Sequence, residues 1–194
     1  MLSGLSLTHL VISCLIKIAK TLWLMLPAYT PNNFAVVFGG GKPIDFEKVF
    51  IDGRRILGDG KTFRGFAGGL FGGLIVANVE YMIENVINIH VFSSLPYLTF
   101  LKLAFALSFG SLAGDCLGSF VKRRFGVERG DKFPLLDQYD FLALSFLFAW
   151  IFERRAFESL YTPDVILLAV ILTPLLHRFA NIVAYKLGLK DVPW

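Results

Sequence analysis

Charged side chains are scarce in this chain of 194 residues, and it holds only two cysteines and three histidines. Charged residues make up 18% of the sequence and hydrophobic residues 55%, with a mean hydropathy of +0.63. Because a soluble domain is usually about 45–50% apolar, this balance argues against an ordinary water-soluble fold. We therefore predict one integral membrane domain that spans residues 1–194.

The scarcity of cysteine and the lack of basic residues near the N-terminus restrict the class of protein. Cys14 and Cys116 both lie in apolar runs, so we expect buried free thiols and no disulfide framework. No basic residue precedes Lys17, so the N-terminal segment lacks the positive charge of a cleaved signal peptide, and we expect the first helix to remain. We expect no nucleic-acid partner, and no obligate protein partner is evident from the sequence.

Five apolar segments are long enough to cross a bilayer, for which about 20 residues are needed. They are residues 5–26, 66–89, 95–120, 141–160 and 165–187. The sequence thus predicts an all-α, polytopic membrane helix bundle with about five transmembrane helices and two polar loops, residues 28–64 and 121–138. The fourth segment is the least regular, because the charged run Glu153-Arg154-Arg155 interrupts it.

Lysine and arginine are concentrated in the two polar loops. Six lie between Ala28 and Arg64 and five between Val121 and Gln138, whereas the segment 88–96 has none. By the positive-inside rule, both loops are cytoplasmic. We expect a multi-pass protein of the cell membrane, with its N-terminus outside and its C-terminal tail, which carries Lys186 and Lys190, inside.

Glycines recur every fourth residue at the start of the second predicted helix, at Gly65, Gly69 and Gly73, with Gly68 and Gly72 beside them. Small residues at this spacing allow helix backbones to approach closely. The pattern predicts tight helix packing, and its place inside a span argues against a phosphate-binding loop.

Three aspartates lie at the cytoplasmic ends of the third and fourth spans. Asp115 is about five residues inside the third span, where an unpaired carboxylate costs roughly 2.5–3.5 kcal/mol. Asp137 and Asp140 are three residues apart at the start of the fourth. Asp115 fits either a structural ion pair with a lysine of the first span or a functional group, and Asp137 also fits a helix cap. Together the three carboxylates match an oxygen-ligand Mg²⁺ site.

Polar and basic side chains continue from Asp115 along one helix face. Ser119 and Lys122 follow at four and seven residues, and Arg123 is adjacent. Lysine supplies a point charge to phosphate and arginine a bidentate clamp. Arg124 fits equally well a positive-inside anchor. Three chain-breaking residues follow, in a loop that we expect to wrap round a polyphosphate: Gly126, Gly130 and Pro134.

The first loop carries a glycine-rich segment, Gly58-Asp59-Gly60-Lys61-Thr62. It is not a P-loop, because Arg55 stands where the first glycine is required and no strand precedes it. Lys61, Thr62 and Arg64 nevertheless lie at the start of a predicted helix, where side chains and backbone N–H groups can bind phosphate oxygens.

Several of these segments together resemble the CDP-archaeol synthase family, the archaeal relatives of bacterial phosphatidate cytidylyltransferases. They are Pro27-Ala-Tyr29, Gly39-Gly-Gly-Lys-Pro-Ile-Asp45, Asp52-Gly-Arg-Arg55, Gly58-Asp-Gly-Lys-Thr62, Ser119-Phe-Val-Lys-Arg-Arg124 and Pro134-Leu-Leu-Asp-Gln-Tyr-Asp140. The chain departs from the bacterial pattern at Gln138, where those enzymes have arginine, and it lacks their His-Gly-Gly. The first loop is similar to the archaeal branch.

The resemblance implies that CTP and 2,3-bis-geranylgeranylglyceryl phosphate, an unsaturated isoprenoid ether-lipid phosphate, give a CDP-activated lipid and pyrophosphate, with Mg²⁺. The catalytic residues would be Asp115, Lys122, Arg123, Asp137 and Asp140, with metal on the three aspartates. CTP would be bound by Asn32, Asn33, Asp59, Lys61, Thr62, Arg64, Ser119, Lys122 and Arg123. The chemistry is consistent with this assignment, because a phosphate monoester is already an anionic nucleophile and needs alignment and charge neutralisation rather than a general base.

Two alternatives come from other functional classes. A small transporter or channel for an anionic solute would move that solute without releasing pyrophosphate. The sequence lacks the paired, interrupted helices typical of such transporters. A non-catalytic lipid-binding subunit would leave the three carboxylates unexplained. Five other titratable residues show no ligand or triad spacing and are given no chemistry: His9, Glu80, Glu84, His90 and His177.

Overall fold

The computed structural model describes residues 7–128, 131–133, 135–189 and 191–192. The described residues form six α-helices and one 3₁₀ turn. These are α1 (Leu7–Val37), α2 (Phe63–Ile87), the 3₁₀ turn (Phe92–Ser94), α3 (Tyr97–Arg124), α4 (Leu136–Phe152), α5 (Arg154–Leu160) and α6 (Pro163–Lys186). The prediction of an all-α membrane bundle is confirmed. Parts of three predicted features lie outside the described residues: the start of the first span at residues 5–6, the loop residues Arg129, Gly130 and Pro134, and Lys190 of the tail.

Within the described residues, α1, α2, α3 and α6 are long and apolar enough to cross a membrane. The predicted fourth span, residues 141–160, is wrong as one continuous helix. Its first part, α4, has 17 residues and is about 25 Å long, which is shorter than the ~30 Å hydrocarbon core. The chain leaves helical geometry at Glu153, which forms an ion pair with Lys102 at 3.6 Å, and α5 follows.

The first helix is longer than predicted, because it continues to Val37 and the first loop covers residues 38–62 rather than 28–64. Pro27 and Pro31 lie inside the helix and are buried. Pro31 has no N–H for the carbonyl of Pro27, and the Ser108 hydroxyl of α3 donates to that carbonyl at 2.9 Å instead. A hydroxyl on the neighbouring helix therefore allows α1 to run through a proline signal that normally ends a helix.

The predicted close approach at the glycines of α2 is confirmed. A Cβ atom at Gly65 would lie 2.9 Å from the carbonyl oxygen of Ala35, and one at Gly69 would lie 2.7 Å from that of Pro31. At Gly73 it would lie 2.6 Å from the Ser108 hydroxyl. The absence of side chains lets α2 pack directly on the backbone of α1.

A second glycine series, Gly110, Gly114 and Gly118, packs α3 against α4. A Cβ atom at Gly110 would lie 2.5 Å from the carbonyl oxygen of Leu144, and one at Gly114 would overlap the backbone of Asp140. This spacing, which the sequence analysis did not single out, brings the first turn of α4 directly onto α3.

The cysteines differ from expectation in one respect. Both thiols are free, but Cys14 is exposed rather than buried. Residues 7–16 of α1 are all exposed because they extend past the part of the helix that packs on the bundle. Cys116 is half-buried in α3.

At the opposite end of α2 from the first loop, Glu84 is buried and fixes the connection to α3. Its carboxylate accepts hydrogen bonds from the N–H groups of Val91 at 2.9 Å and Ser93 at 2.7 Å, and from the indole of Trp23 at 2.7 Å. The role of Glu84 is therefore structural, in agreement with the absence of any assigned chemistry.

Candidate active site

A cavity of about 750 Å³ lies where the first loop meets α1, α3, α4 and α6, and its volume is in the range of small-molecule sites. Six of the predicted site residues that line it carry charges suited to phosphate and metal: Lys61, Lys122, Arg123, Asp115, Asp137 and Asp140. The fold thus brings together groups that lie up to 79 residues apart in the sequence.

Lys61 and Asp115 form an ion pair between the first loop and α3. Burial alone would lower the pKa of Lys61, but the Asp115 carboxylate raises it, and the net shift is upward. Lys61 is therefore protonated at neutral pH. The structural alternative for Asp115 was a lysine on the first span, whereas the observed partner comes from the loop and lies in the cavity wall.

A second ion pair joins Lys122 at the end of α3 to Asp137 in the first turn of α4. Asp137 also accepts a hydrogen bond from the N–H of Phe133 at 2.9 Å, just before the helix. Asp137 therefore fixes the segment that precedes α4 and also lines the cavity with a charge.

Asp140 occupies a space that exists only because Gly118 has no side chain. One carboxylate oxygen of Asp140 accepts from the N–H of Phe141 at 2.6 Å. The other contacts α3 at the point where a Cβ atom of residue 118 would be. Any larger residue at Gly118 would displace this carboxylate.

The predicted metal triad is not assembled as a compact group. Among the described residues, no set of three histidine, cysteine, aspartate or glutamate side chains is arranged to hold one metal ion. The reason is electrostatic: the ammonium groups of Lys61 and Lys122 lie against Asp115 and Asp137. The donors still suit Mg²⁺ in kind, because all three predicted ligands are carboxylates that line one cavity.

Arg123 and Asn32 each present a buried polar atom with no hydrogen-bond partner among the described residues, namely Nε of Arg123 and Oδ1 of Asn32. Both side chains line the cavity, and the amide nitrogen of Asn32 is 3.2 Å from the Ser111 hydroxyl. Buried polar groups are almost always paired in folded proteins. A phosphate at Arg123 and a hydrogen-bond donor at Asn32 would satisfy them.

Three other predicted CTP-binding residues line the cavity, Asp59, Thr62 and Ser119. Asp59 forms an ion pair with Arg55 at 2.6 Å. The hydroxyl of Thr62 accepts from the N–H of Gly65 at 3.0 Å and thereby caps α2. The Thr62 hydroxyl is therefore used to cap α2, and this cap orients the turn that carries Lys61.

Asn33 and Arg64 do not line the cavity, which corrects their predicted location. Asn33 belongs to α1 rather than to a loop, and its side chain donates to the carbonyl of Tyr29 at 3.4 Å. The Arg64 guanidinium donates to the carbonyl of Phe38 at 2.8 Å, at the end of α1. Arg64 therefore joins two helix termini instead of extending towards phosphate.

Sequence reasoning missed the contribution of α6. His177 and Asn181 line the cavity, and His177 Nδ1 lies 3.3 Å from the amide nitrogen of Asn181. His177 also stacks on Phe141 of α4, with ring centroids 6.4 Å apart. Their spacing of four residues near the end of the last span was the available signal.

Asp45 organises the first loop around Lys61. Its side chain is fully buried and accepts from Arg55 at 2.9 Å and from the N–H groups of Leu57 and Gly58, each at 3.0 Å. Burial alone would raise the pKa of Asp45, but these donors hold it well below its usual value. The charged carboxylate thus fixes the turn that leads into Lys61.

Comparison with known proteins gives consistent matches over nearly the whole chain. The CDP-archaeol synthase of Archaeoglobus fulgidus is 55% identical over 177 residues, which cover 91% of this chain and 98% of that protein. The CDP-archaeol synthase of Pyrococcus horikoshii is 47% identical over 178 residues, covering 92% and 98%. A family model described as CarS-like, CDP-archaeol synthase, matches residues 12–194.

A solved structure, described as an intramembrane enzyme for archaeal membrane lipids biosynthesis, superimposes with a TM-score of 0.69. It is 37% identical and the match covers 85% of this chain and 94% of that one. These similarities support a multi-pass membrane enzyme and give no support to the transporter alternative. The chain belongs to the CarS-like family of CDP-archaeol synthases.

Proposed function

We propose that the protein uses this cavity to transfer the cytidylyl group of CTP to the phosphate of an unsaturated archaeal ether lipid, with release of pyrophosphate. The observation that carries this proposal is the meeting of phosphate-binding cations and carboxylates in one cavity, between membrane-spanning helices and a polar loop. A lipid phosphate reaches such a place from the bilayer, and a nucleotide reaches it from water. The names of the relatives support the same reaction.

The reaction requires alignment and charge neutralisation more than proton transfer. An oxygen of the lipid phosphate attacks the α-phosphorus of CTP, the bond from that phosphorus to the bridging oxygen breaks, and pyrophosphate leaves with the electron pair. Lys61, Lys122 and Arg123 bind the phosphates and stabilise the charge that develops on the leaving group. Lys61 and Lys122 must first exchange their aspartate partners for phosphate oxygens.

The same exchange frees carboxylates for Mg²⁺. Once Lys61 and Lys122 turn to the nucleotide, Asp115 and Asp137 are available, and Asp140 lines the same cavity with its carboxylate in the space at Gly118. Asp115, Asp137 and Asp140 would hold Mg²⁺, which would supply charge neutralisation and orientation of the triphosphate.

The base is read from the α1 side of the cavity. The unpartnered Oδ1 of Asn32 accepts a hydrogen bond from the exocyclic amine of cytosine, a donor that uracil lacks. Asp59, at the rim formed by the first loop, is the second candidate for contact with the nucleoside.

We place this end of the bundle in the cytoplasm and the N-terminus outside. The first loop carries five lysines and arginines and the end of α3 three, in agreement with the positive-inside rule, and Lys61, Lys122 and Arg123 among them line the cavity. The cavity would then bind CTP on the side of the membrane where CTP is made.

The test is incubation of the purified protein with CTP, Mg²⁺ and the lipid phosphate, with mass analysis of the lipid and measurement of pyrophosphate. We expect equimolar CDP-lipid and pyrophosphate. Absence of both products from a correctly folded preparation, or solute flux into liposomes without pyrophosphate release, would contradict the proposal.

A further inference from the structure

Two arginines join the first loop to the end of α3 by binding each other's backbone. Arg54 Nη1 donates to the carbonyl of Arg124 at 3.0 Å and to that of Arg123 at 3.3 Å. In return, Arg124 donates to the carbonyl of Arg55 at 2.5 Å and to the Asp52 carboxylate at 3.0 Å. Each guanidinium thus binds carbonyl groups of the other element, Arg54 at the C-terminal end of α3 and Arg124 in the first loop.

The Arg124 guanidinium is also enclosed by two aromatic rings. It lies 4.7 Å from the ring centroid of Phe50 in the loop and 4.9 Å from that of Phe120 in α3, and the two rings contact each other edge to face. The Arg124 side chain is 19% exposed. Contacts with two rings and several hydrogen bonds fix the guanidinium in one orientation, in contrast to a solvated membrane anchor.

None of these side chains lines the cavity, so they cannot touch the reacting groups from where they lie. The elements that they join do carry those groups: the loop bears Lys61, and α3 bears Asp115 and Lys122. We call the set of Phe50, Asp52, Arg54, Phe120 and Arg124 the Arg54–Arg124 contact.

We infer that the Arg54–Arg124 contact is a positioning device that holds the first loop against α3 while Lys61 exchanges Asp115 for a nucleotide phosphate. This inference rests on the proposed function, because that exchange is part of it. In the described residues, polar contacts between the loop and α3 are of two kinds, the Lys61–Asp115 ion pair and the Arg54–Arg124 contact. When nucleotide binding breaks the first, the second remains to hold the loop.

The contact should therefore matter most for the nucleotide. The lipid phosphate approaches through the helices, whereas CTP is bound partly by the loop. Arg124→Ala should raise KM for CTP about tenfold, the size expected for losing a charge-assisted hydrogen bond. KM for the lipid phosphate should change little. Arg124→Lys keeps the positive charge near the rings but loses the forked hydrogen bonds. Its KM for CTP should therefore lie between that of the parent protein and that of Arg124→Ala.

Arg154→Ala is the matched control. Arg154 likewise combines an ion pair, with Glu158 at 2.7 Å, and a ring contact, with Trp150 at 5.1 Å, but it lies in α5, away from the cavity. This variant should leave both KM values unchanged. Thermal unfolding of both variants in the same detergent separates a loss of overall stability from a loss of loop positioning.

Hydrogen exchange in detergent gives a second measurement that does not need turnover. In Arg124→Ala, amides of residues 45–60 should exchange faster, and CTP should widen the difference from the parent protein. Equal rises in both KM values, no change in either, or unchanged loop exchange would each overturn the inference. If the parent protein makes no CDP-lipid, the proposed function fails, whereas the exchange measurement still decides whether the contact holds the loop.

Discussion

Replacing Asp115 by asparagine removes one carboxylate charge from the cavity and leaves the Lys61 ammonium without its partner. Breaking a fully buried ion pair typically costs about 3–5 kcal/mol. This pair is less enclosed, since 21% of the Lys61 side chain and 36% of the Asp115 side chain are exposed. We therefore expect a loss of about 1–2 kcal/mol, closer to that of a hydrogen bond to a charged group in partial contact with water.

Activity should fall much further than stability. If Asp115 binds Mg²⁺ during turnover, the substitution removes charge stabilisation from the transition state, for which losses of about 10²–10³-fold are typical. The assay is CDP-lipid formation beside thermal unfolding in the same detergent. A variant that is stable and active would refute both the metal role and the ion-pair role.

A double variant separates the two effects. Asp115→Asn combined with Lys61→Met removes both charges, so stability should return towards that of the parent protein while activity stays low. Asp164→Asn is the control, because it also breaks a lysine–aspartate ion pair, 3.2 Å to Lys17, but on exposed helix surface. It should change neither measurement, and a matching loss of activity in this control would show that the effect is not specific to the cavity.

The remaining predictions concern other parts of the cavity. Lys61→Ala should raise KM for CTP, whereas Arg64→Ala should mainly lower thermal stability, because Arg64 binds carbonyl groups at the end of α1; equal CTP effects would contradict the placement. Gly118→Ala should give a folded protein with little turnover, because the new methyl group displaces the Asp140 carboxylate, and normal turnover would remove Asp140 from the site. Lys122→Met should bind Mg²⁺ alone more tightly and CTP more weakly in calorimetry, and an unchanged Mg²⁺ affinity would show that the lysine does not compete for the carboxylates.

The fold was predictable from the sequence where one physical effect dominated. Long apolar runs identified the spans, and the four-residue glycine spacing identified the close contact of α1 with α2. Prediction failed where tertiary partners overrode a local signal. Pro27 and Pro31 indicated the end of a helix, and no local pattern shows that Ser108 donates to a carbonyl that the second proline leaves free.

The candidate site follows the same division. Charge and spacing drew attention to Asp115, Lys122 and Asp137, because charged groups near a membrane span are usually functional, and all three line the cavity. Whether Lys61 or Arg64 faces the cavity depends on the direction in which each side chain points from the start of α2. Arg64 turns to carbonyl groups of α1, a destination that requires the two helices to be in place.

The resting ion pairs give a physical reason why cationic and acidic groups can share a cavity at the edge of a bilayer. Unpaired lysines or unpaired aspartates at this position would cost free energy through desolvation and through repulsion between like charges. Pairing Lys61 with Asp115 and Lys122 with Asp137 removes much of that cost before any ligand arrives. In the proposed reaction, a nucleoside triphosphate and a divalent cation together would replace both pairs, since the lysines would turn to phosphate and the aspartates to the metal. Either ligand alone leaves one set of charges without partners. Binding of CTP and of Mg²⁺ should therefore favour each other by the same factor.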